Sequence, residues 1–92
     1  MALKRLTLAR AERFAVRAIR DEGHVMTVKS SRWLGVRCGY RDGSPGAFRC
    51  ARVLCSDGTR SVLCGVTIET DGGSQVHGRL VGNDYSLAEG DE

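Results

Sequence analysis

Apolar residues recur at helical spacing near the start of this chain and then alternate with polar ones for most of the rest. Leu8, Ala11, Ala15, Ala18 and Ile19 fall on one side of a helix, with Phe14 at the margin of that face. Thr7 supplies an N-cap oxygen, and Gly23 supplies the residue that tolerates a left-handed exit, so the pattern predicts a helix over 7–22. A hairpin folded about Asp21-Glu22-Gly23 is the competing reading. It fails because strict alternation breaks at Ala18-Ile19.

Beyond Gly23 the period falls to two. Val25–Ser30 reads as a short strand. Leu34, Val36, Cys38 and Tyr40 alternate with Gly35, Arg37, Gly39 and Arg41, giving one apolar and one polar face. Arg41 to Gly46 is dense turn chemistry. Phe48–Cys55 is the next strand, and Ser56-Asp57-Gly58-Thr59 is a hairpin turn of the Asp-Gly kind. Arg60–Thr70 follows, with Val62, Cys64, Val66 and Ile68 on one face. Asp71-Gly72-Gly73 turns the chain into Ser74–Val81, where Val76 and Leu80 point the same way. Tight turns join only antiparallel neighbours. The predicted fold is therefore α+β: an N-terminal amphipathic helix packed on a four- to five-stranded antiparallel β-meander. Residues 1–85 form one domain in this reading, and 86–92 an acidic, flexible tail.

Composition narrows the class without naming a function. The 92 residues include only two Phe, one Trp and two Tyr, so the core must come from Val, Leu, Ile and Ala. No run approaches the roughly 20 apolar residues of a membrane span. The first twenty residues share the Arg-rich, amphipathic make-up of a transit peptide, but their removal would leave a very small all-β remnant. The expected compartment is the reducing cytoplasm, with the four cysteines as thiols.

Candidate chemistry is sparse. Cys38, Cys50, Cys55 and Cys64 contain no Cys-x-x-Cys pair, which argues against a structural zinc site. Cys64, between Val62 and Val66, reads as a small core residue. His24 and His77 are the only imidazoles, and nothing in the sequence brings them together. The glycines lie between strands and match no phosphate-cradling loop. The expectation is no catalytic residue, no metal and no cofactor.

Charge is the feature left over. The net charge of +3 divides into +6 over residues 1–46 (ten basic, four acidic) and −3 over 47–92 (four basic, seven acidic). Arg10, Arg13, Arg17 and Arg20 form a helical row within an arc of about 80°. Like charges at i and i+4 repel, so such a row is mildly costly alone and favourable against an anionic surface. Lys29, Arg32, Arg37 and Arg41 extend the basic area in this reading, with Trp33 or Tyr40 available for stacking. The expectation is a non-enzymatic binding module that docks this surface on an acidic partner: nucleic acid, a ribonucleoprotein or an acidic protein. The alternative is a small phage- or mobile-element-type inhibitor or adaptor acting by protein contact, such as an anti-CRISPR blocker of a host defence complex. A homodimer through an edge strand is one form of that contact. A small nuclease or toxin using the two histidines ranks third.

Overall fold

The computed structural model describes residues 6–34, 48–69 and 73–82. Helix α1 spans Leu8–Asp21, followed by strands β1 (Thr27–Trp33), β2 (Phe48–Ser56), β3 (Ser61–Glu69) and β4 (Ser74–Leu80). The four strands pair antiparallel in the order β1-β2-β3-β4. This is the expected α+β arrangement of one N-terminal helix on an antiparallel meander. The anticipated strand over 35–40, the turn over 41–46, Asp71-Gly72 and the acidic tail 86–92 lie outside the described residues.

Both helix ends are closed locally. Thr7 Oγ1 accepts from the Arg10 amide at 3.2 Å, satisfying one donor of the first turn. At the other end Gly23 has φ +96°. Its amide donates to the Arg20 carbonyl at 2.9 Å, and the His24 amide reaches back to Ile19 at 3.2 Å. These paired bonds are a Schellman exit, which requires the left-handed conformation that glycine adopts without penalty.

Ala11, Ala15 and Ile19 are fully buried on the inner stripe of α1. They meet Ala51, Val53 and Cys55 of β2 and Val62, Cys64, Val66 and Ile68 of β3. Two alanines at the contact let the helix backbone lie close to the sheet, so α1 touches all four strands. Burying Ile19 alone is worth about 1.5–3 kcal/mol.

Strand β1 differs from the sequence expectation at both ends. Its ladder starts at Thr27, two residues late, because Thr27 pairs with Ser56, the last residue of β2. Val25 therefore has no strand beside it and is 75% exposed. A β-bulge between Val28 and Ser30 then inserts Lys29 as an extra residue. After the bulge Ser31 and Trp33 face the helix and Arg32 faces away, so the strand runs on to Trp33. The Ser31 hydroxyl donates to the Glu12 carboxylate of α1, tying β1 to the helix.

Candidate functional site

The domain has two layers and so two outward surfaces: the outer side of α1 and the face of the sheet turned away from it. Each carries exposed basic residues among those described.

On the helix, Arg13, Arg17 and Arg20 are exposed. They fall within an arc of about 60° centred opposite the buried stripe. Arg10 does not join them, being only 7% exposed. Its guanidinium donates to the Glu69 carbonyl at 2.6 Å and lies 5.6 Å from the centre of the Phe14 ring. Both contacts draw Arg10 toward the end of β3 and away from the outer row.

The other expected contact residues sit elsewhere. Lys29 is exposed at the bulge. Arg32 and Trp33, adjacent in sequence, face opposite sides of the sheet. Trp33 is half-buried on the helix side, with the Arg49 guanidinium 3.8 Å from its ring centre. Such stacking over an indole is a cation–π contact. Arg37 and Arg41 lie outside the described residues. The structure thus brings Arg13, Arg17 and Arg20 together, and sets Arg32 on the opposite side of the domain.

Sequence reasoning missed the second surface. On the face away from α1, Arg32 of β1 stands opposite Arg52 of β2, Arg52 opposite Gly65 of β3, and Gly65 opposite His77 of β4. The neighbouring row is Ser30, Leu54, Leu63 and Arg79. Arg32, Arg52, His77 and Arg79 are exposed, while Leu54 and Leu63 are half-buried. The signal was present in the alternation: Arg52 lies between the buried Ala51 and Val53, and His77 and Arg79 alternate with Val76 and Leu80.

The two histidines occupy different places. His24, just past the helix, has its Nδ1 3.5 Å from the Arg60 guanidinium at the β2–β3 turn. His77 stands on the open sheet face beside Gly65.

The three described cysteines occupy two settings. Cys55 and Cys64 are free, fully buried and hydrogen-bonded to each other between β2 and β3. The bond to Cys55 and burial both push the Cys64 thiol above its ordinary value, so it stays protonated. The hydrogen bond from Cys64 lowers Cys55. Cys50, half-buried on the open face, lies 3.6 Å from the Thr67 hydroxyl. Among the described residues no three His, Cys, Asp or Glu side chains cluster as a metal site would require, and no helix is long and apolar enough to cross a membrane. Compared with family models, curated proteins and solved structures, the chain matches none.

Proposed function

We propose that this protein is a non-enzymatic binding module whose helix presents Arg13, Arg17 and Arg20 to an anionic macromolecule, with nucleic-acid phosphates as the favoured target. The observation that supports this reading is the exposure of three arginines on one narrow arc of α1, directly opposite the stripe that anchors the helix. Arginine binds phosphate through two parallel N–H donors, and a rigid helix holds three such groups in fixed order. Glu12, the acid nearest the row's start, is turned to the sheet by its bond to Ser31. The row itself carries no acid.

Three phosphate contacts set a definite salt dependence. Each contributes about −0.9 on a duplex and about −0.7 on a single strand to the slope of log affinity against log salt, so raising salt from 50 to 200 mM weakens binding about 40-fold and about 20-fold respectively. The test is fluorescence anisotropy with a labelled 20-nucleotide single strand and the corresponding duplex across that salt range. The double variant Arg13→Glu, Arg17→Glu abolishes binding and leaves the thermal transition in place. Unchanged affinity in that variant overturns the reading.

A further inference from the structure

The open face of the sheet carries a second basic surface, on the side of the domain away from the helix row. Arg32 and Arg52 stand directly opposite each other on neighbouring strands. Like charges in that relation repel, so the pair carries a cost in the free protein. A negative group lying over both removes it. Arg79 extends the positive charge two strands further, and the two central rows contain no carboxylate.

Gly65 lies at the centre of this face. Its φ is not in the left-handed region, and the registers on both sides of β3 run without a break. A Cβ built on it would meet only the His77 carbonyl, at 3.9 Å. Neither conformation nor packing calls for glycine here, although glycine in a strand interior weakens the strand. What its missing side chain leaves is a notch. Arg52 and His77 flank it across the sheet, and Leu63 and Thr67 flank it along β3. The half-buried Leu54–Leu63 pair makes its apolar wall.

A notch walled by leucines and edged by Arg52, with Arg79 and Arg32 further out, has the anatomy of a protein-binding hot spot: an apolar patch inside a charged rim. A single-stranded nucleic acid instead favours Phe, Tyr or Trp platforms for its bases; neither central row contains one, and Phe48 lies two rows away at the start of β2. The geometry points to an acidic protein segment as the occupant. One apolar side chain of that segment enters the notch over Gly65. Carboxylates on either side of it meet the Arg32–Arg52 pair and Arg79. The domain then joins an anionic polymer on its helix side to a protein on its sheet side.

The test uses the full chain labelled with nitrogen-15 and three probes. The first is an N-acetylated Asp-Glu-Leu-Glu-Asp peptide. The second is the same peptide with Gly for Leu, and the third is an oligo-dT strand. The leucine peptide is expected to shift the amides of Arg52, Leu63, Gly65 and His77, and the glycine peptide to bind at least tenfold more weakly. Gly65→Val fills the notch and should weaken the leucine peptide at least tenfold with no loss of thermal stability. Should Gly65→Val fail to fold, Arg52→Glu with Arg79→Glu must produce the same loss. Arg13→Glu with Arg17→Glu must leave peptide binding unchanged, which separates this site from the helix reading. Equal binding of the two peptides, or peptide-induced shifts confined to α1, overturns the proposal. So does oligo-dT shifting these same amides in place of the peptide.

Discussion

The guanidinium of Arg10, in the first turn of α1, donates to the main-chain carbonyl of Glu69 at the last residue of β3. The bond joins segments 59 residues apart in the chain. Charged hydrogen bonds of this kind contribute about 1.5–3 kcal/mol. Arg10→Ala should lower stability by about that amount in urea denaturation. Arg13→Ala, three residues away and exposed, should change it by less than about 0.5 kcal/mol. Equal effects would show that Arg10 is surface and not part of the framework.

The spacing between helix and sheet is set by small side chains. Ala15 is fully buried where α1 crosses the sheet. Ala15→Leu adds volume to a contact with no space for it and should cost about 1–3 kcal/mol. Ile19→Ala errs the other way and should cost about 2–5 kcal/mol. Chemical denaturation of both variants tests the packing. A stabilised Ala15→Leu protein would mean that a void lies beneath the helix.

The β2–β3 turn has a pH signature. Asp57 Oδ1 accepts from the amides of Thr59 and Arg60, each at 2.8 Å. The Arg60 amide and then the Thr59 amide hold this carboxyl below its ordinary value. A depressed folded pKa means that the stabilisation is present above the unfolded pKa, near 3.9. It is lost as pH falls through the lower, folded value. Asp57→Asn keeps the acceptor oxygen and removes the charge. The gap in stability between native protein and variant should therefore close as pH drops below about 4. A gap independent of pH would show that the carboxylate charge contributes nothing to the turn.

Thiol chemistry separates the core from the surface. Cys55 and Cys64 are fully buried, so in native buffer they should react with a maleimide only as fast as the sheet opens. Of these three described cysteines, Cys50, half-buried on the open face, should react before Cys55 and Cys64. Mass spectrometry of time-resolved labelling reads the order directly. Rapid modification of Cys64 in folded protein would contradict the packing described.

The meander was legible because three signals agreed: helical spacing to Ile19, alternation through Val62–Ile68, and an Asp-Gly turn between two strands. The side on which the β1 residues face was misjudged because of the bulge. Strict alternation from Val28 puts Ser30 and Arg32 inside and Ser31 and Trp33 outside. The extra residue at Lys29 reverses all four. The expected basic area therefore combined side chains that point in opposite directions. Arg10 was misgrouped for another reason: helical angle describes where a Cα sits, while a long guanidinium stem can reach well away from that angle. Gly65 carries no signal in the sequence pattern. Its value as a gap became visible when Arg52 and His77 stood on either side of it.

Trp33 gives this chain an optical reporter that no one needs to engineer. It is the only tryptophan of the 92 residues, and it sits where the last pair of the β1–β2 ladder meets Arg49. Its emission colour and the access of a quencher to it follow the docking of the first strand and its arginine lid. They are blind to fraying of β4 at the far edge of the sheet. Fluorescence and backbone dichroism thus watch different parts of the same molecule, and any gap between their melting curves would measure how tightly the outer strand is coupled to the rest.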